Sequence, residues 1–236
     1  MSMILNIETG TEVCSVALTE NGRLISLRES GTGRQHARQL ALYIDEIFRE
    51  LDIDPHDLDA IAVGQGPGSY TGLRIGVSLA KGLSYGLGIP LIAVSTLGSM
   101  ARVALEDFEA GVLELHHPDR LYLCPMIDAR RMEVYAQVFD QALHPVTEVE
   151  AVIVDGTSYA TLAAEREFVI FGSGAQKCAD VMTMPNVHYV EVAHSARGMA
   201  AFSDRAFQQG DFVDTAYFEP FYLKDFVVTT SAKKLF

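Results

Sequence analysis

Apolar positions along the chain follow two periods, and the switches between them outline the elements. Residues 3–8 alternate weakly and residues 13–18 form a short apolar run, with Glu8-Thr9-Gly10-Thr11-Glu12 as a turn between them. Asn21-Gly22 then separates that run from a third at 24–28, a hairpin signal, so three strands of an antiparallel meander are expected. From residue 37 the period lengthens. Ala37, Leu40, Ala41, Ile44, Ile47, Phe48 and Leu51 recur at i, i+3, i+4 and i+7, the mark of an amphipathic helix. Leu42 and Tyr43 lie off that stripe, either as scattered surface apolars or as part of a second apolar face.

Pro55 ends the helix. Residues 58–63 read as a buried strand, 72–87 as a second helix, 90–94 as a strand and 95–109 as a third helix. The second helix is rich in small residues (Gly76, Ser78, Ala80, Gly82, Ser84, Gly86), although interior Gly disfavours a helix by about 1 kcal/mol each relative to Ala. Such a helix is expected to be packed on more than one side. The order β-β-β-α-β-α-β implies an α/β sheet of ribonuclease-H-like type. Past an acidic linker near 105–119 the order partly repeats: strands at 120–127, 132–139, 149–154 and 167–171, a Gly172-Ser173-Gly174 turn, and a helix over 199–209. Two ribonuclease-H-like domains are therefore expected, 1–104 and 105–236. The tail around Pro220-Phe221-Tyr222-Leu223-Lys224 reads as an ordered anchor and a candidate for return to the first domain, followed by a mobile basic end at Lys233 and Lys234.

The 236 residues are 49% hydrophobic, ample for a core, and 18 basic against 31 acidic side chains leave a net charge of −13. Binding to phosphate backbones rests on Lys and Arg, so RNA contact, if any, falls to a more basic partner. The apolar start at residues 3–7 is too short for a signal peptide or a membrane span, and a cytoplasmic location without membrane contact is expected. Cys14, Cys124 and Cys178 are few and far apart, which predicts buried free thiols.

The candidate chemistry centres on residues 63–76, where Gly64, Gly66, Pro67, Gly68, Ser69, Tyr70, Thr71 and Gly72 link a strand to a helix. A Gly-rich turn at a helix N-terminus suits an anion; it equally suits a tight structural turn. The stretch fits neither G-x-x-x-x-G-K-[ST] nor a clean G-x-G-x-x-G. Gly68-Ser69-Tyr70-Thr71-Gly72 is one residue longer than the G-x-S-x-G elbow, which disfavours a Ser hydrolase. The seven histidines, including adjacent His116-His117, form no i, i+4 pair, so no metal site is expected. Acidic turns at Glu8-Thr9-Gly10-Thr11 and Asp128-Ala129-Arg130 could hold Mg²⁺ and phosphate. They could also be plain hairpin turns, with Asp128 paired to Arg130 or Arg131.

The run from Val63 to Gly76, with Ala80-Lys81-Gly82-Leu83 and Gly88-Ile89-Pro90-Leu91, resembles the TsaB (YeaZ) family. So do Ile4-Leu5-Asn6-Ile7-Glu8-Thr9, Cys14 to Leu18, His36, Ile127 to Tyr135 and Pro220 to Leu223. The resemblance implies an actin/Hsp70-like fold. It implies a non-catalytic part in forming N6-threonylcarbamoyladenosine in tRNAs that read codons beginning with A, with no cofactor. It further implies a homodimer when alone, a heterodimer with the catalytic paralogue TsaD, and TsaE joining the assembly. In the paralogue two histidines after the equivalent strand hold a metal; Thr96 and Met100 stand there in this chain. Glu8 departs from the family's usual Asp. The expected partner interface comprises Leu40, Tyr43, Ile44, Ile47, Leu73, Val77 and Leu87, while Gly66, Pro67, Gly68, Ser69, Thr71 and Gly72 serve as a structural loop. The rival readings are a metal- or nucleotide-dependent transferase in its own right, and a peptidase acting through Ser69.

Overall fold

The computed structural model describes residues 1–31, 36–113 and 120–224. Its first sheet has the strand order β3-β2-β1-β4-β5, from β1 (Met3–Glu8), β2 (Cys14–Glu20), β3 (Arg23–Ser30), β4 (Ala60–Gly66) and β5 (Leu91–Ser95). β1, β2 and β3 pair antiparallel, and β4 and β5 are added in parallel. Asn21 and Gly22 both take positive φ, 50° and 73°, as a tight turn between twisted strands requires.

The second sheet repeats the arrangement. β6 (Leu121–Asp128), β7 (Glu133–Ala136) and β8 (Glu150–Ile153) form a meander, and β9 (Glu167–Phe171) and β10 (Val187–Tyr189) add in parallel, giving the order β10-β9-β6-β7-β8. Two ribonuclease-H-like sheets of one topology make an actin/Hsp70-like α/β fold. Strand β10 and a short helix α4 (Ala160–Glu165) had no expectation in the sequence. Both are too short to show a period.

One face of the first sheet is covered by α1 (His36–Leu51) and α2 (Tyr70–Leu87), which seal Leu5, Ile7, Val16, Leu18, Ile61 and Val63 beneath Leu40, Ile44, Ile47 and Val77. Gly88, in the left-handed region at φ 69°, stops α2. The layer between the sheets exchanges chain halves. Helix α3 (Thr96–Glu109) follows the last strand of the first sheet, yet Leu97, Met100, Ala101 and Ala104 join Leu121, Leu123, Val169 and Phe171 of the second. Helix α5 (Ala200–Gln209) and the turn Ala196–Met199 before it follow the second sheet, yet Ala196 and Met199 pack on Ile4, Ala62, Ile92 and Val94 of the first. The linear division between residues 104 and 105 therefore does not describe the two cores, because it cuts through α3. Part of the acidic linker, residues 114–119 with His116-His117, lies outside the described residues, as do Lys233 and Lys234.

The described tail, residues 211–223, runs along the first sheet and α2. Val213 bridges to Leu91 on the β5 edge, Lys81 donates to the carbonyls of Ala216 and Phe218 at 3.0 Å each, and Phe221 N–H donates to Gln65 O at 2.8 Å. The tail runs along α2 from its C-terminal to its N-terminal end. Lys224 then pairs with Glu133 of β7, which ties the tail to the second sheet. Among the described residues no helix is long and apolar enough to cross a membrane. Cys14, Cys124 and Cys178 are free and buried, and burial pushes the Cys14 thiol up to about 11.

Candidate functional site

The duplicated sheets bring two equivalent turns to one place, β1–β2 at residues 9–13 and β6–β7 at 129–132. Between them lies a cleft of about 1330 Å³, lined by Gly10, Thr11, Glu12, the loop Gly68–Gly72, Asp128–Arg130 and Ser173, with Tyr135 and the tail from Phe221 to Lys224 along its walls.

The first turn is held from below. Glu8, 1% exposed, accepts from Gly10 N–H at 2.7 Å and from the Thr96 hydroxyl at 3.1 Å; Thr96 in turn accepts from Gly66 N–H at 3.2 Å. His194 Nε2 lies 3.6 Å from Glu8 Oε2, and its Nδ1 is 2.8 Å from Thr11 Oγ1. Burial alone would raise the Glu8 carboxyl. The neighbouring His194, with the bonds from Gly10 and Thr96, outweighs it and holds the group below the ordinary carboxylate value.

The glycine loop closes on the same turn from above. Ser69 N–H donates to Gly10 O at 2.7 Å, and the Thr9 hydroxyl donates to Gly72 O at 2.8 Å. A Cβ on Gly68 would lie 2.2 Å from Gly10 O, and one on Gly72 would lie 2.1 Å from Thr9 O. These two glycines are required for close approach of two backbones. Gly66 takes φ +104°, the Gly66–Pro67 bond is cis, and Pro67 is buried. Ser69 caps α2 by accepting from Gly72 N–H at 3.3 Å, and Ser69 and Thr71 are exposed to the cleft. The loop therefore spends its backbone gripping Thr9 and Gly10.

The second turn differs from expectation. Asp128 pairs with Lys177, not with the Arg130 or Arg131 side chain, and accepts from Arg130 N–H at 2.8 Å. Burial raises its carboxyl, but the Lys177 bond and charge and the Arg130 amide bring it below the usual range. Among the described residues no three His, Cys, Asp or Glu side chains are grouped to hold a metal ion. Thr96 is engaged with Glu8 and Gly66, and Met100 is 2% exposed, its methyl 2.5 Å from where a Gly172 Cβ would sit.

Most residues of the expected partner interface are buried in the core. Leu40 and Ile47 are fully buried, Leu73 is 1% exposed, Val77 4% and Ile44 7%, all turned toward the first sheet. Tyr43 and Leu87 are half-buried against the same core. The strongest apolar stripe of a helix marks its core side. A separate groove of about 580 Å³ runs between α1 and α2, lined by Ala37, Leu40, Ala41, Tyr70, Thr71, Arg74, Ile75, Ser78 and Leu79. Of the α2 glycines, Gly76 packs on Thr9, whereas Gly82 and Gly86 face open space. Sequence reasoning missed His194 and Lys177, which meet the site from far along the chain and carry no local signal. The expected anchor in the tail does reach the site, with the Tyr222 ring 4.9 Å from Tyr70.

A family model described as TsaD: tRNA N6-adenosine threonylcarbamoyltransferase matches residues 30–151. The chain is similar to the tRNA threonylcarbamoyladenosine biosynthesis protein TsaB of Escherichia coli, 30% identical over 229 residues that cover 94% of each chain. It is also similar to the protein of that name from Haemophilus influenzae, 38% identical over 132 residues, 56% of this chain and 51% of that one; that match spans about half the length of the Haemophilus relative. A solved structure of an uncharacterized protein from Pseudomonas aeruginosa, with similarity to peptidase YeaZ, superposes with a TM-score of 0.79 at 26% identity, covering 95% of this chain and 100% of that one.

Proposed function

The chain belongs to the TsaB (YeaZ) family of tRNA threonylcarbamoyladenosine biosynthesis, and from that premise we propose that it acts there as a non-catalytic subunit that binds and activates the TsaD transferase. The observation that carries the proposal is the outward groove between α1 and α2. It is largely apolar and about 580 Å³ in volume, and the small side chains Ala37, Ala41 and Ser78 allow a partner helix to approach closely. The same face serves a second copy when TsaD is absent, and TsaE joins the heterodimer.

Two features support the non-catalytic role. The hydroxyl of Thr96 and the thioether of Met100 stand where the paralogue has histidines, and both are engaged inside the protein. A hydroxyl and a thioether are also a poor pair for a divalent ion that prefers imidazole. The glycine loop, the other candidate for chemistry, is closed on the β1–β2 turn. The net charge of −13 leaves tRNA contact to the partner.

Ala41 and Ser78 are exposed, so Ala41→Arg and Ser78→Arg place a long cation in the groove without disturbing the core. Each variant is expected to keep the wild-type circular dichroism and melting temperature and to lose capture of TsaD. Capture at wild-type strength by both folded variants would remove the groove from the account.

A further inference from the structure

We propose that the groove between α1 and α2 is occupied by the chain's own C-terminal segment, residues 225–236, which an incoming partner must displace. The docking stands on the groove and the segment alone; only its consequence for TsaD rests on the reading above.

The first observation is where the described chain stops. The tail reaches the N-terminal end of α2, where Phe221 N–H donates to Gln65 O at 2.8 Å and the Tyr222 ring lies 4.9 Å from that of Tyr70. Tyr70 also lines the groove, as do Ala37 and Arg74. Lys224, two residues on, is the last described residue, and residues 225–236 follow it. The chain is therefore delivered at one end of the groove. Those residues extend to about 40 Å, whereas α1 from Ala37 to Leu51 is about 21 Å long, so reach does not limit the docking.

The second observation is the chemistry of the segment, Asp225-Phe226-Val227-Val228-Thr229-Thr230-Ser231-Ala232-Lys233-Lys234-Leu235-Phe236. Phe226, Val227 and Val228 are consecutive apolar residues, and segments that stay in solvent are poor in aromatic and β-branched side chains. In an extended strand Phe226 and Val228 fall on one face. The groove, about 580 Å³ and framed by Leu40, Ala41, Ile75 and Leu79, offers that face an apolar seat. The cleft on the other side of the tail fits it worse, being lined by Thr11, Glu12, Asp128 and Arg130.

The third observation is charge. The segment carries two lysines against one aspartate in a chain of net charge −13. Arg74, at the near end of the groove, donates to the Tyr70 hydroxyl at 2.9 Å and has no ion pair among the described residues; Asp225 is the carboxylate that arrives there first. At the far end, Asp45 follows Ala37 and Ala41 at steps of four and so shares their face of α1. Glu46, Glu50 and Asp52 come next, against Arg49 and, from β3, Arg28, which leaves that end negative. Val228 to Lys233 spans up to about 17 Å when extended, enough to pass from Ala41 to Glu50, about 14 Å along the helix. With Phe226 and Val228 in the groove, Lys233 and Lys234 meet the acidic end of α1. A tethered segment acts at an effective concentration in the millimolar range, so it competes with TsaD or a second copy for the same surface.

The test is disulfide trapping in the full chain carrying Val228→Cys with Ala41→Cys, equilibrated in a glutathione buffer and read by mass spectrometry of the unreduced protein. Cys14, Cys124 and Cys178 are buried and stay out of the exchange. The comparison pair is Val228→Cys with Ala164→Cys on α4; Ala41 and Ala164 are both exposed, so neither pair disturbs a core. The intrachain bond should be favoured by about tenfold or more for the Ala41 pair, and adding Phe226→Asp should remove the advantage. Equal effective concentrations for the two pairs would overturn the proposal. So would bonds found only between two chains, which would give the groove to a second copy. In the chain without added cysteines, Phe226→Asp should strengthen TsaD capture by about tenfold, the competitor being gone. Trapping without that gain supports the docking and counts against the TsaD reading.

Discussion

Glu8 and Gly64 compete for one volume. A Cβ on Gly64 would lie 2.3 Å from Glu8 Oε2 and 2.6 Å from its Cδ. The carboxylate has nowhere to go, since it is pinned by Gly10 and Thr96 and sealed from solvent at 1% exposure. Gly64→Ala is therefore expected to destabilise the chain by about 1–3 kcal/mol, the usual cost of overpacking. In a Glu8→Ala background the same substitution should cost much less. A double-mutant cycle by urea denaturation checks this; additive effects would mean that the two residues do not share the space.

The same carboxylate sets a pH dependence. Its folded value is depressed below the ordinary 4.5, so it binds a proton less readily in the folded chain than in the unfolded one. Its contribution to stability is complete above about 4.5 and is lost as pH falls through the depressed folded value. Glu8→Gln should lower stability at neutral pH and flatten the acid limb of the stability curve below 4.5. Denaturation midpoints measured from pH 3 to 7, at about half-unit steps, check the sign; an unchanged acid limb would contradict it.

The two sides of α1 should respond oppositely. Leu40 is fully buried and Ile44 is 7% exposed, so Leu40→Ala is expected to cost about 2–5 kcal/mol. Ile44→Glu should cost more, by burying an unpaired charge. Both lower the melting temperature, and any loss of partner binding follows from unfolding. Ala41→Arg, one residue from Leu40 but on the exposed face, should leave the melting temperature unchanged within about 1 °C, as surface substitutions do.

Lys81 anchors the tail by donating to Ala216 O and Phe218 O at 3.0 Å each. Lys81→Met keeps the stem and removes the donors, with an expected cost of about 1–3 kcal/mol, as for charged hydrogen bonds. Amide exchange at Phe221, whose N–H donates to Gln65 O, should quicken selectively while the core strands stay protected. Unchanged exchange there would show that the tail is held by other contacts.

These relationships also show where the sequence was informative. The meander, the β4-loop-α2 unit and the stripe on α1 rest on local signals: the Asn21-Gly22 turn, an apolar run before glycines, a helical period. All appear in the fold, and the second sheet repeats the first closely enough for its strands β6 to β9 to be read in the same way. What the glycine loop grips was not legible, because Thr9 and Gly10 lie about sixty positions earlier, the Thr9 hydroxyl to Gly72 O bond spanning 63 residues. His194 was still less legible, meeting Thr11 across 183 residues. The exchange of α3 and α5 between sheets is likewise a long-range choice. Of the residues expected at an interface, Leu40, Ile44, Ile47, Leu73 and Val77 are buried in the core, for a plain physical reason. The residues that stand out by apolar period are those the core selects, whereas the small side chains Ala37, Ala41 and Ser78 that line the groove between α1 and α2 are too modest to stand out.

The central claim is that this chain serves tRNA threonylcarbamoyladenosine formation through TsaD without performing the chemistry. Reconstitution tests it most directly: TsaD, TsaE, threonylcarbamoyl-adenylate and tRNA, with and without this chain, with product nucleoside measured by mass spectrometry. The account predicts that omission of the chain abolishes product, that Ala41→Arg reproduces the omission, and that this chain with tRNA and threonylcarbamoyl-adenylate but no TsaD yields none. Product formed at the full rate without the chain, or by the chain without TsaD, would contradict it.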